Sequence, residues 1–256
     1  MKVDILASGS SGNCVLIDDC LVIDAGARVT LSSDAKPEAV LLTHSHTDHT
    51  RFLQEKFGGL PFYTTQEVAD DMQKRNPFFV ANMLKHDTWN SIEVGDNVYS
   101  VYVFKLKHDA PCIGFAIAGC DETILYATDF NEILTPITLS MFDRIFIECN
   151  NTLGQSDMLD VYMGDKTPKD EFHRRRSYYN HCNATYLYKL FEDAGWSEER
   201  PCDIPTTLLH KSSCYYAKNP EQIVRLCKIT NVQNANYEYI TNAVLLEQRG
   251  KVKFNV

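Results

Sequence analysis

The stretch AVLLTHSHTDHTRF, residues 39–52, constrains this chain most, because an apolar run ends in a dense group of metal-binding side chains. His44, His46, Asp48 and His49 lie within six consecutive positions. Divalent transition metals are bound by neutral imidazole and ionised carboxylate groups. A single histidine is usually structural or exposed, but packing does not explain four such groups, since each buried one would need its own polar partner. We therefore predict a metal site after a buried strand.

The spacing of these four side chains suits two metal ions. His44 and His46 are two positions apart and can point to one side of a loop, whereas Asp48 and His49 can turn towards a second ion. Two ions about 3.5–4 Å apart can hold a bridging hydroxide. Such a pair needs more ligands than the loop provides, so we expect others at the ends of further strands.

Three polar residues occupy such positions. His108 follows the strand pattern ending in KLK, Asp129 follows ILYAT, and His210 follows TTLL. Each is a weak signal alone, because a surface histidine after a strand is common and aspartate is a favoured turn residue. Together they complete two coordination shells, which favours a ligand role for all three.

Length, composition and charge exclude several classes of protein. The 256 residues, 44% of them apolar, allow a single domain over residues 1–256 with a sizeable core. No apolar stretch approaches the ~20 residues of a membrane span, and the N-terminus lacks the pattern of a signal peptide, so we predict a cytoplasmic protein. The nine cysteines include no C-x-x-C pair, which favours reduced thiols. A net charge of −9 disfavours extended duplex binding but allows a nucleotide or a nucleic-acid end as substrate.

Strand and helix patterns alternate in two blocks, which favours an α/β fold with two packed sheets and helices outside. Helices are predicted from a capping box at Thr64 and Glu67 to about Arg75, over Ala184–Ala194, and after Asn219. Strands are predicted at VDILA, CVLID, LVIDAG, Ala39–Thr43, Asn97–Lys107, Cys112–Ala118, Thr123–Thr128, Arg144–Glu148, Thr206–Leu209, Glu238–Ile240 and Ala243–Glu247.

The pattern T-H-S-H-T-D-H resembles the H-x-H-x-D-H signature of the metallo-β-lactamase superfamily, and the order of the later ligands fits it as well. The resemblance implies an αββα sandwich, two packed mixed sheets with helices outside. It also implies that Asp24, in IDAG, supports the histidine loop from beneath, although an ordinary turn aspartate is the alternative. The ligands it implies are His44, His46 and His108 for the first metal, and Asp48, His49 and His210 for the second, with Asp129 bridging both.

Within the superfamily, the segments ASGSSGN, KHDAP and LLHKSS resemble nucleases of the YycJ/WalJ type and, more distantly, RNase Z. Glu148 in IECNN and His181 in YYNHCN are similar to a glutamate and histidine pair of RNase Z-like phosphodiesterases. This implies that His181 protonates the leaving oxygen and that Glu148 orients it. The alternatives are a strand-end ion pair for Glu148 and a helix cap for His181. With Asp48, these two are the predicted catalytic residues.

Arg174, Arg175 and Arg176 precede His181, and arginine binds phosphate oxygens in a bidentate manner. We predict a phosphate contact from this run, although a solvated charge run is the alternative. Tyr178 and Tyr179 are predicted either to stack on a base or to pack in the core.

These residues predict a phosphodiesterase in which metal-bound hydroxide attacks a nucleotide phosphodiester and His181 acts as the general acid. The substrate is a cyclic nucleotide or a nucleic-acid end, and the alternative is a DNA or RNA exonuclease of the YycJ/WalJ type. Lower-ranked alternatives are a di-iron redox protein and a metal-stabilised binding module without turnover. The mixed nitrogen and oxygen ligands suit two Zn²⁺ ions, with Mn²⁺ as the rival. The resemblance also implies a homodimer.

Overall fold

The computed structural model of the protein describes residues 1–154, 158, 168–212, 215 and 218–233. The chain forms two compact units, residues 1–136 and residues 137–256. The first unit contains the histidine-rich stretch, and the second contains Glu148, His181 and His210. The single domain over residues 1–256 stays a prediction.

The first sheet of the first unit carries the histidine-rich loop. Strand β4 is fully buried and pairs in parallel with β3, so the carboxyl ends of these two strands lie at the same edge. Strands β1 to β3 are antiparallel, and β3 to β6 are parallel. The six strands follow chain order: β1 (Val3–Ala7), β2 (Cys14–Ile17), β3 (Leu21–Ile23), β4 (Ala39–Leu41), β5 (Phe62–Thr64) and β6 (Asn82–Met83).

Five antiparallel strands make the second layer of this unit. Tyr99 of β8 contacts Cys20 across the two layers, with 3.5 Å between hydroxyl and sulfur. His108 directly follows β8, and Asp129 is the second residue after the end of β10, so both predicted ligands lie at strand ends. The strands are β7 (Trp89–Val94), β8 (Asn97–Lys107), β9 (Cys112–Ala118), β10 (Thr123–Ala127) and β11 (Glu132–Ile133).

The helices of the first unit are α1 (Thr47–Thr50), α2 (Leu53–Phe57) and α3 (Gln66–Gln73). The predicted capping box before α3 is wrong. Thr65 is the residue that precedes the helix, and no side-chain capping bond forms there. The hydroxyl of Thr64 instead donates to the carbonyl of Leu42 at 2.9 Å, because Thr64 lies in β5 and its side chain is buried inside the sheet.

In the second unit, parallel strands bring two predicted site residues to one edge. Glu148 ends β12 and is in register with Leu209 of β13, so His210 follows at the same edge. Helices α5 and α6 pack on each other, and the side chain of Asn183 caps α5 by accepting from the Tyr186 amide. The elements are β12 (Arg144–Glu148), α4 (Pro168–Asn180), α5 (Ala184–Asp193), β13 (Pro205–Leu209), α6 (Pro220–Ile229) and β14 (Asn231–Val232), with a 3₁₀ helix at Leu139–Met141.

Most predicted elements are confirmed, and two lie outside the described residues, namely the strands at 238–240 and 243–247. The cysteines of the described part of the chain are all free, and most of them are buried, as reduced thiols would be. Among the described residues, no helix is both long enough and apolar enough to cross a membrane.

Candidate functional site

The histidine-rich loop lies directly over the segment that follows β3. The amide of Ala25 donates to the carbonyl of His49 at 2.7 Å, and the amide of Asn13 donates to the carbonyl of Asp48 at 2.8 Å. A Cβ atom on Gly26 would lie 1.6 Å from the Asp48 carbonyl oxygen, so only glycine fits there. The loop and the segment beneath it are therefore in direct backbone contact.

Three imidazoles form the first group of metal-ligating side chains. The ring centroid of His44 lies 4.7 Å from that of His46 and 5.2 Å from that of His108. One nitrogen of each ring lies within 4.8 Å of the others. The structure therefore brings together all three residues that sequence analysis assigns to the first metal.

The tautomer and the burial of His44 suit it to bind a cation. The Thr43 hydroxyl donates to Asp24 at 2.8 Å, so it accepts from Nδ1 of His44 at 3.0 Å, and the lone pair of His44 is left on Nε2. This Nε2 atom is buried without a hydrogen-bond partner. Burial, followed by the charge of His49, lowers the pKa of His44 well below 6.5. A neutral imidazole with an unshared buried lone pair fits a metal ion.

Asp48, His49 and Asp129 form a second group in the same unit. Nε2 of His49 lies 3.0 Å from Oδ2 of Asp129 and 4.0 Å from Oδ2 of Asp48. Asp129 adopts a φ of 55°, a conformation that costs free energy outside glycine and that occurs often at functional sites. This group contains two carboxylates, so it fits a divalent ion by charge as well as by donor type.

Asp24 holds the second group from beneath. Its carboxylate accepts from Nδ1 of His49 at 2.7 Å and from the amide and hydroxyl of Thr43 at 2.9 and 2.8 Å. Burial lowers the pKa of His49, but Asp129 and Asp24 outweigh it and raise that pKa well above 6.5. The structure therefore places Asp24 against His49, a predicted ligand, where it orients the ring so that Nε2 faces Asp129.

Helix α3 and Arg75, two residues after its end, contact the same loop from the other side, at Ser45 between the first two histidines. The Ser45 hydroxyl donates to Asp71, and Nη1 of Arg75 donates to the Ser45 carbonyl at 3.1 Å. Thr50 adds a hydrogen bond to the His46 carbonyl at 3.0 Å. Sequence analysis missed these residues, because no motif marks a contact between positions so distant along the chain.

In the second unit, one carboxylate accepts from two histidines. Oε1 of Glu148 lies 2.7 Å from Nδ1 of His181 and 2.9 Å from Nδ1 of His210, and the two rings stack at 4.9 Å. Burial raises the pKa of Glu148, but the two histidines outweigh it and the pKa is lowered. Both histidines therefore contact the same carboxylate through Nδ1, which fixes the orientation of the two rings.

Asn150 supports this arrangement and was also missed by sequence analysis. Its side-chain amide donates to the carbonyl of His210 at 2.8 Å, and its backbone amide donates to the carbonyl of Cys182 at 2.8 Å. His210 adopts a φ of 50°, so its backbone needs such support. The only sequence signal was a pair of asparagines, residues 150 and 151, beginning two residues after the end of β12.

The structure does not bring the three predicted arginines together. Arg174 is buried, with its guanidinium 5.9 Å from the centre of the Tyr215 ring. Arg175 is paired with Glu171 one helical turn earlier at 2.6 Å, and Arg176 is exposed. Tyr179 is 47% exposed and contacts Tyr178 edge to face. Of the three arginines, Arg176 is therefore the one most open to a phosphate.

Comparison with known protein families gives one match. The family model of the β-lactamase superfamily domain matches residues 15–165, more than half of the chain. A sequence search of curated proteins finds no match.

Several solved structures are similar in fold. Zn²⁺-bound PqqB from Methylobacterium extorquens has 14% identity and a TM-score of 0.61, over 91% of this chain and 98% of that chain. The metallo-β-lactamase fold protein YhfI from Bacillus subtilis has 16% identity and a TM-score of 0.58, over 91% and 96%. Yeast PDE1 has 12% identity and a TM-score of 0.59, over 97% and 94%.

The prediction of an α/β fold with two mixed sheets and helices, the metallo-β-lactamase fold, is confirmed. That fold, with its groups of histidine and aspartate ligands, defines a metal-dependent hydrolase. The chain belongs to the metallo-β-lactamase superfamily.

Proposed function

We propose that this protein is a phosphodiesterase that depends on two divalent metal ions and hydrolyses a nucleotide phosphodiester. Membership of the superfamily and the two ligand groups of the first unit support a metal-dependent hydrolase. The observation that carries the narrower proposal is the contact between His181 and Glu148, at 2.7 Å with the carboxylate fully buried. A buried glutamate that accepts from one histidine nitrogen orients the ring for proton transfer through the other.

The ligands of the proposed ions follow the two groups described above. His44, His46 and His108 would hold the first ion, and Asp48, His49 and Asp129 would hold the second. By the resemblance in sequence, His210 would join the ligands of the second ion and Asp129 would be shared by both. When bound, two such ions supply an activated water and the positive charge that stabilises the reacting phosphate. This donor set suits Zn²⁺, with Mn²⁺ as the second choice.

The proposed proton donor is Nε2 of His181. Its Nδ1 donates to Glu148, and that carboxylate stabilises the positive charge of the ring when Nε2 is protonated. A departing alkoxide is a poor leaving group, so a positioned acid contributes roughly 10²–10⁴-fold. Asp48, with a side chain 17% exposed, is the carboxylate of its group that water reaches, and we assign to it the orientation of the attacking water.

The test is a hydrolysis panel with metal-loaded protein, with cyclic mononucleotides in one set and DNA and RNA in the other. Asp129→Ala is expected to abolish turnover without unfolding the protein. His181→Ala is expected to lose roughly 10²–10⁴-fold on alkyl phosphodiesters and less on bis(p-nitrophenyl) phosphate, whose leaving group needs no proton. His173→Ala is the matched control, because His173 is an exposed histidine that contacts Phe172. Wild-type rates in both test variants would refute the proposal.

The class of nucleotide is the second question that the panel answers. The net charge of −9 supports a small cyclic nucleotide. One observation supports a nucleic-acid end instead: Phe172, Arg176 and Tyr179 are exposed and share one face of α4, at helical positions i, i+4 and i+7. If nucleic acid is the substrate, Phe172→Ala with Arg176→Ala should slow its hydrolysis and leave cyclic nucleotides unaffected. The cytoplasmic location and the homodimer stay predictions.

A further inference from the structure

Asp109 contacts two of the three imidazoles in the first ligand group. Its Oδ1 lies 3.1 Å from Nε2 of His108 and 3.3 Å from Nε2 of His46. The Asp109 side chain is 41% exposed, whereas those of His108 and His46 are 0% and 17% exposed. Asp109 is therefore the water-facing carboxylate at the edge of this group, and neither the motif nor the proposed ligand set includes it.

In His44 and His46, one ring nitrogen faces the group and the other contacts a neighbouring side chain. His44 uses Nδ1 for Thr43, so its Nε2 faces the group. Nδ1 of His46 lies 3.3 Å from Nε2 of His108. Two ligand atoms at ~2.0–2.1 Å from one tetrahedral ion are separated by about 3.3 Å. This separation suits Nδ1 of His46 and Nε2 of His108 as two ligand atoms of one ion, and Nε2 of His46 is then the nitrogen that faces Asp109.

We propose that Asp109 is a positioning residue of the first metal site, where it accepts from Nε2 of His46 and turns Nδ1 towards the ion. The proposal rests on the metal site proposed above. A histidine ligand is held in the right tautomer and orientation when its second nitrogen donates to a carboxylate. In this group the carboxylate also supplies negative charge that three neutral imidazoles lack.

The experiment compares Asp109→Ala and Asp109→Asn with wild-type protein in Zn²⁺ binding, measured by competition with a chromophoric chelator. Asp109→Ala is expected to lower the affinity for one of the two Zn²⁺ ions by roughly 10–100-fold and to leave the affinity for the other unchanged. The Zn²⁺ affinity of Asp109→Asn is expected to lie between those of Asp109→Ala and wild-type protein, because the side-chain oxygen of asparagine still accepts from His46. With Co²⁺, the visible spectrum of Asp109→Ala is expected to keep the wild-type band positions, since no ligand is removed.

Glu132→Ala is the matched control. It removes a carboxylate paired at 2.9 Å with Lys107, one position before His108, and is expected to leave both affinities unchanged. Wild-type affinity in Asp109→Ala would overturn the proposal. Equal losses in the two Asp109 variants with shifted Co²⁺ bands would also overturn it, because Asp109 would then be a ligand. Absence of metal binding by wild-type protein would instead refute the metal site itself.

Discussion

The histidine-rich loop is held from two sides by anchors of different kinds. The inner anchor, Asp24 and Gly26, is buried, and Asp24 accepts three hydrogen bonds from Thr43 and His49. The outer anchor consists of Asp71 of helix α3 and Arg75 just after that helix, and in the loop it contacts Ser45. Water can replace a lost partner at the outer anchor but not at the inner one. We therefore expect the inner anchor to determine whether the loop forms and the outer anchor to adjust it.

The largest effect is expected for Asp24→Asn. The amide nitrogen of asparagine cannot accept from His49 or from the Thr43 hydroxyl, so a buried charge loses its partner. The free energy of unfolding should fall by about 3–5 kcal/mol, and the affinity for one metal ion should fall roughly 10–100-fold. Urea unfolding of the metal-free protein and chelator competition measure the two effects. Asp34→Asn, an exposed control, should change neither; a stable Asp24→Asn protein with normal metal affinity would show that the inner anchor is dispensable.

Gly26→Ala is expected to follow, because its Cβ would meet the Asp48 carbonyl oxygen at 1.6 Å and the loop would have to move. Overpacking of this kind costs about 1–3 kcal/mol, seen as a lower urea midpoint at unchanged slope. Gly59→Ala is the matched control, since no atom lies within 4 Å of a Cβ at that position. Equal midpoints for the two alanine variants would contradict the close approach.

The contrast between the anchors also explains how much the sequence could reveal. The predicted ligands of the loop are close together in the chain, and His108 and Asp129 follow strands with clear patterns, so local reasoning could single them out. The predicted support role of Asp24 came from the family resemblance, with an ordinary turn aspartate as the alternative. Asp71 lies 26 positions from Ser45 in a helix of ordinary composition, and its contact depends on how α3 packs. The capping box at Thr64 failed for the same reason, since the packing of β5 decides which partner its hydroxyl takes.

Asp71→Asn tests the side-chain part of the outer anchor. The Ser45 hydroxyl then donates to a neutral amide oxygen instead of a carboxylate, so the free energy of unfolding should fall by about 1 kcal/mol. Metal affinity should fall by less than roughly 10-fold. Ser45→Ala should cost a similar amount, and the double variant should cost less than the sum, which a double-mutant cycle measures. Lys74→Ala is the control, because Lys74 is 73% exposed and contacts Asp71 but not Ser45. Strict additivity of the two changes would show that the Ser45–Asp71 contact contributes nothing.

The smallest effect is expected for Arg75→Gln, which tests the backbone part of the outer anchor. Arg75 is exposed, so water can take its place at the Ser45 carbonyl, which also lies 3.4 Å from the Thr50 hydroxyl that donates to the His46 carbonyl. The cost should stay within about 0.5 kcal/mol in urea unfolding, and metal affinity should not change. A loss larger than that of Asp71→Asn would reverse the order within the outer anchor. The contact of Arg75 with the Ser45 carbonyl would then stabilise the loop more than the contact of Asp71 with the Ser45 hydroxyl.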